Sequence, residues 1–107
     1  MAVKVYVERT IIAGLEETVC QMLRELRSEV VRQHGHLYSQ TWRSLDDSRV
    51  YVTVSAWSTR EHWEEWFNDG FRQKTDERIN RMLVEPSTVK VFGETIGPPD
   101  RTGLAGT

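Results

Sequence analysis

Apolar residues change their spacing along this chain, and the changes limit which elements it can build. In VKVYVERTII, residues 3–12, Val3, Val5 and Val7 alternate with Tyr6, Glu8 and Ile12. Successive side chains of an extended backbone point to opposite faces, and β-branched residues pack well on a pleated surface, so the segment predicts a strand. Gly14 interrupts it. Over LEETVCQMLRELRSEVVRQ, residues 15–33, apolar residues fall at 15, 19, 22, 23, 26 and 30. That is the spacing of one helical face, with glutamates in the first turn and arginine near the end, where the helix dipole favours them. His34-Gly35 is a helix stop.

HLYSQTWRSL (36–45) and RVYVTVSAWS (49–58) predict two further strands joined by a short polar turn at Asp46-Asp47-Ser48. Val50, Val52, Val54 and Ala56 share one face; Tyr51, Thr53, Ser55 and Trp57 share the other. Ser58-Thr59-Arg60-Glu61 fits a capping box with Ser58 as N-cap, and a short helix follows through Asn68. Asp69-Gly70 breaks it, and a second helical run carries Phe71, Thr75, Ile79, Met82 and Leu83 on one stripe until Pro86 ends it. STVKVFGE (87–94) predicts the last strand. The order β-α-β-β-α-β, with the second helix in two pieces, predicts an α+β, ferredoxin-like split fold: an antiparallel sheet with helices on one face. Residues 1–94 form this domain, and 95–107 are a Gly/Pro-rich tail. The second sheet face needs a cover. The alternating sets Val3/Val5/Val7 and Val50/Val52/Val54 would leave a large apolar patch in water, so a homodimer is expected.

Composition removes several classes. Fourteen basic and 16 acidic residues give a net charge of −2 and are interspersed, with no basic stripe, so nucleic acid is not an expected partner. No apolar run reaches the ~20 residues that cross a bilayer, and MAVKVYVERT does not read as a signal peptide. The single cysteine, Cys20, excludes an internal disulfide and suits a reducing cytoplasm. His34 and His36 flank Gly35 without a third ligand nearby, so no metal site is predicted. Cys20 has no adjacent histidine that would make it a nucleophile.

Three of the four tryptophans, Trp57, Trp63 and Trp66, lie within ten positions beside His62, Phe67 and Phe71. Trp63, Trp66 and Phe67 are spaced i, i+3, i+4, so they share one side of the short helix. Rings in that pattern either fill a core or wall a pocket for a planar ligand.

In this order of elements, with Gly35 before the second strand, the run VTVSAWSTREHWEEWF and the terminal VKVF, the chain resembles the antibiotic biosynthesis monooxygenase family of dimeric α+β barrels. The resemblance covers residues 3–94. It implies a small monooxygenase that needs no cofactor and oxidises an aromatic or quinol-type molecule with O₂. Against the polyketide-oxidising members, Thr53, Trp57 and Trp63 stand at site positions, and Trp57 alone keeps the family's residue; their helical arginine has no match in register, Arg72 and Arg78 being nearest. Against the haem-degrading members, Glu8 stands at an asparagine position, Trp66 matches a tryptophan, and Thr75 stands where the iron-ligating histidine would be. A haem-binding enzyme without its usual histidine, or a non-catalytic ligand-binding dimer, are the alternatives. The resemblance also implies that the Tyr6/Glu8 face looks toward the helices. Glu8 is then a partly buried carboxylate able to abstract a phenolic proton, or the partner of Arg9, Lys90 or a helix arginine. The expected substrate-contacting residues are Tyr6, Tyr51, Thr53, Trp57, Trp63, Trp66, Phe71 and Thr75.

Overall fold

The computed structural model describes residues 1–97. Its elements are β1 (Val3–Thr10), α1 (Glu16–Val30), β2 (His36–Arg43), β3 (Val50–Trp57), α2 (Arg60–Phe67), α3 (Gly70–Asn80) and β4 (Thr88–Gly93). The strands form one antiparallel sheet in the order β2-β3-β1-β4. This is the ferredoxin-like α+β fold expected from the periodicity. Most of the tail assigned to 95–107 lies outside the described residues.

The first strand is hydrogen-bonded on both sides, so its two faces decide the two faces of the sheet. Val3, Val5, Val7 and Arg9 stand opposite Trp57, Ser55, Thr53 and Tyr51 of β3, and Val5 and Val7 also oppose Val91 and Val89 of β4. This is the face under the helices. At one end Val3, Val5 and Trp57 pack with Val30 of α1 and Trp66 of α2. At the other, Ile11, Val19, Met22, Ile79 and Leu83 close a second cluster. Each such side chain removed from water contributes about 1.5–3 kcal/mol before the entropy of ordering it.

The other face collects Lys4, Tyr6 and Glu8 opposite Ala56, Val54 and Val52, with Tyr38, Gln40 and Trp42 beyond them on β2 and Phe92 beside Lys4 on β4. The two valine sets therefore do not share a surface. The helices cover Val3, Val5 and Val7, and Val50, Val52 and Val54 lie on the uncovered side. Tyr6, Tyr38, Trp42 and Phe92 are exposed there. Glu8 is exposed on that same face, away from the helices, which corrects the expected orientation of the Tyr6/Glu8 set.

The start of α2 is fixed one residue later than the capping box suggested. Thr59, in an extended conformation, is the N-cap, and its Oγ1 accepts the His62 N–H at 3.2 Å. Ser58 instead donates its backbone N–H to the Gly35 carbonyl at 2.8 Å, tying the helix entrance to the loop before β2. The His62 ring folds back over that loop. Its Nδ1 lies 2.7 Å from Thr59 Oγ1, and its ring centroid is 5.5 Å from that of His34. Gly35 has φ +77°, and a Cβ there would overlap the His62 ring. The stop read at His34-Gly35 is thus also a packing site for α2.

Two costs then fall on one position, left-handed backbone and overpacking. Gly35→Ala is expected to lower the urea-derived unfolding free energy by at least about 2 kcal/mol. Adding His62→Ala removes the overlapping ring atoms but keeps the close His62 Cβ, so it should return only part of that loss. A loss within about 0.5 kcal/mol, typical of an open surface site, would contradict this packing.

Candidate functional site

Between the sheet and the helices lies a cavity of about 300 Å³, at the small end of the roughly 300–1,000 Å³ range of ligand sites. It exists because the inward face of the sheet shrinks toward β2. Ser39 opposes Ser55 and Thr41 opposes Thr53, and all four line the space. The Thr41 and Thr53 hydroxyls are 3.2 Å apart. Small side chains leave room that the valines of β1 do not. Leu23, Leu26 and Val30 of α1 close one side, and Trp63, Trp66 and Phe67 of α2 close another. Trp63 packs against Phe67 with centroids 5.2 Å apart. The i, i+3, i+4 aromatic spacing of α2 therefore serves both purposes: Trp66 belongs to the core cluster and also walls the cavity.

The charges of the site are unequal. Arg9, 6% exposed, reaches Thr53 Oγ1 with Nη1 and Asp76 Oδ1 with Nη2, both at 3.4 Å, and its Nε has no partner. Asp76 also lies 3.8 Å from Arg72 Nη1 and accepts from Asn80 Nδ2 at 3.0 Å. Arg72 donates Nε to the Phe67 carbonyl at 2.9 Å and lays its guanidinium over the Phe67 ring at 4.3 Å. Burial pushes the Arg9 guanidinium below its ordinary pKa, partly offset by Asp76; burial pushes Arg72 the same way. Arg24 and Arg27 line the cavity from the exposed side of α1. Among the described residues, four arginines thus meet a single carboxylate, Asp76, in the lining, with no histidine, lysine or glutamate beside them.

The expected site residues separate. Thr53, Trp63 and Trp66 come together in the cavity. Trp57 is fully buried in the core, its indole N–H donating to Ser55 Oγ at 3.1 Å and its ring edge-on to His36, so it supports the site from outside. Tyr51 packs on the second core cluster. There burial and the Cys20 thiol push its phenol pKa up. Thr75 is buried on α3 without reaching the cavity, and Phe71 turns outward, 44% exposed, because α3 begins at Gly70 under the Asp69 N-cap. Tyr6 and Glu8 lie in a separate groove on the uncovered sheet face with Tyr38, Val52 and Phe92. The expected substrate contacts did not include Arg9, Asp76 or the Ser39/Ser55 pair; Phe67 stands in the aromatic stripe that the sequence leaves open as core or wall, and Arg72 only near the family's helical arginine position. A signal for Arg9 was present: it continues the inward parity of Val3, Val5 and Val7.

The model of the antibiotic biosynthesis monooxygenase family matches residues 2–78, which include every cavity-lining residue but Val89. The chain belongs to the antibiotic biosynthesis monooxygenase family. No curated protein sequence matches this family member. Among solved structures, a conserved protein from Methanosarcina mazei superposes with a TM-score of 0.85 at 8% identity, covering 89% of this chain and 94% of that one. Rv0793 from Mycobacterium tuberculosis gives 0.83 at 13%, covering 91% and 98%. SnoaB, a cofactor-independent oxygenase from Streptomyces nogalater, gives 0.78 at 14%, covering 94% and 100%. At these identities the superpositions establish the fold.

The ion pairs make an asymmetric prediction. Removing one partner of a buried pair strands a charge, whereas replacing the charge by an apolar group of similar length does not. Asp76→Ala leaves two guanidinium groups uncompensated and should cost about 3–5 kcal/mol in chemical denaturation. Arg9→Met leaves Asp76 paired with Arg72 and should stay within about 1.5 kcal/mol of the parent. The reverse ranking would refute this account of the pair.

Proposed function

We propose that this family member is a monooxygenase that oxidises a small aromatic phenol, quinol or anthrone-type molecule with O₂ in the helix–sheet cavity, using the substrate's own electrons and no cofactor. The observation carrying the reading is the cavity itself: indole and phenyl walls from Trp63, Trp66 and Phe67, a hydroxyl-lined floor, and an excess of arginine. A planar ring is held by the walls. Loss of a proton from it gives an anion, which the surrounding positive charge stabilises. The anion adds O₂ at carbon to form a C–O bond as a hydroperoxide. Loss of water from that hydroperoxide, with a second C–H proton, leaves the carbonyl of a quinone: one oxygen atom enters product and the other leaves as water.

Proton removal needs no strong base in this scheme. Glu8 lies across the sheet from the cavity. Asp76 is engaged by Arg9 at 3.4 Å and lies 3.8 Å from Arg72. The site therefore acts on the substrate, lowering its pKa, and water at the mouth takes the proton. A haem reading would call for an axial ligand such as histidine, and no histidine is among the lining residues.

An oxygen electrode tests this with 1,8-dihydroxyanthrone and substituted hydroquinones, in chelator and without added flavin or nicotinamide. Uptake above the uncatalysed rate and one ¹⁸O atom per product are expected. Trp66→Ala should lower kcat/KM by at least about tenfold through lost positioning, and Glu8→Gln should leave it near the parent value. Uptake at the uncatalysed rate across the panel would leave a binding protein instead.

The uncovered sheet face supports a second copy as its cover. Tyr6, Tyr38, Trp42 and Phe92 are all exposed on it, and a patch of this kind is costly in water. Light scattering should give twice the chain mass. Trp42→Glu, which puts a charge on that face, should shift the protein to monomer; a Trp42→Glu dimer would place the interface elsewhere.

A further inference from the structure

We infer that the ligand of this cavity carries a carboxylate, and that Arg9, with Arg72 across Asp76, receives it. The inference rests on the reading of the cavity as the site of a small aromatic substrate and adds the substrate's charge. Its ground is the state of Arg9. A guanidinium taken from water is normally held by short, often paired hydrogen bonds, about 2.7–2.9 Å to a carboxylate. Arg9 has two contacts, both at 3.4 Å, and an Nε with no partner. Asp76 is shared, lying 3.8 Å from Arg72. One carboxylate stands between two guanidinium groups and satisfies neither well.

The buried Arg9 Nε keeps a donor that neither Thr53 nor Asp76 takes up. Arg9 is also part of the cavity wall, beside Thr53 and below the α2 rings. A planar acid entering with its ring against Trp63 and Trp66 brings its carboxylate to the charged end. The guanidinium fork matches a carboxylate's two oxygens, and the small volume favours that flat group over a bulkier anion. With Arg24 and Arg27 at the α1 side, a monoanion still leaves the cavity positive for the proton loss proposed above.

Calorimetric titration of the full chain with 3-hydroxy-2-naphthoate and with 3-hydroxy-2-naphthamide separates charge from shape. The acid should bind about 10- to 100-fold more tightly than the amide, the range of a charge-assisted hydrogen bond. Arg9→Met should bring the two within about threefold while retaining amide binding, which shows that the pocket is still formed. Asp76→Asn keeps the side-chain shape and removes the competing carboxylate. It should tighten acid binding by about tenfold, a gain that misfolding does not produce. Equal affinities in the parent protein, no binding of either compound, or a preference unchanged in both variants would overturn the inference. Oxygen uptake distinguishes the two readings. Acid preference without oxidation of any phenol removes the monooxygenase and leaves the anion site. Oxidation of neutral anthrones with no preference for carboxylated ones does the opposite.

Discussion

A four-stranded sheet has two faces, and the helices of this chain cover only one of them. The central strand β1 enforces the division, because hydrogen bonds to β3 on one side and β4 on the other leave it no freedom to turn. A slip of one residue would send Val3, Val5, Val7 and Arg9 into water and bring Lys4, Tyr6 and Glu8 under the helices. Two consequences follow from one register. The covered face holds the core and the cavity. The other face leaves Tyr6, Tyr38, Trp42 and Phe92 exposed.

The cavity is a local failure of packing with a definite cause. At the Val3 end Trp57 and Trp66 pack with Val3, Val5 and Val30 into a core cluster. Toward β2 the inward residues become Ser39, Ser55, Thr41 and Thr53, which are too small to reach the α2 rings. A void of that size lined only by hydrocarbon would be a cost with no return. Here it is lined by hydroxyls and bounded by a guanidinium, the lining on which the proposed ligand site rests. Burying Arg9 is tolerated because Asp76 lies on α3 within reach, and because Arg72, one helical turn earlier, is stacked on Phe67 and held by its carbonyl. The charged floor and the aromatic roof are thus one assembly: Phe67 closes the cavity and also anchors the arginine that shares Asp76.

Much of this was legible before any coordinates. Period two over 3–12, 36–45, 49–58 and 87–94, helical spacing over 15–33 and on both sides of Asp69-Gly70, and Gly35 and Pro86 as breaks predict the elements, whereas the aromatic triplet on α2 leaves a core and a walled space equally open. The failures have specific physical origins. Ser58 and Thr59 both suit an N-cap; Ser58 was already committed to the Gly35 carbonyl, a contact made across 23 residues of sequence. Spacing alone puts Phe71 on the inward stripe, and the Asp69 cap sets α3 so that the stripe begins at Thr75 instead. The resemblance puts Glu8 on the helix side, although Val3, Val5 and Val7, as the purely apolar set of β1, have the stronger claim to it.

The sequence by itself determined the order and type of the elements, the alternation of each strand and the aromatic side of α2, because these depend on nearest neighbours and on the repeat of the backbone. Which alternate set the helices would cover, which rings would fill the core and which would face a void, and which carboxylate would meet Arg9 were decided only by tertiary structure. Arg9 and Asp76 are 67 positions apart. No local pattern relates them; the packing of α3 over β1 brings them together, and the low dielectric around them makes their interaction stronger than the same pair would have in water.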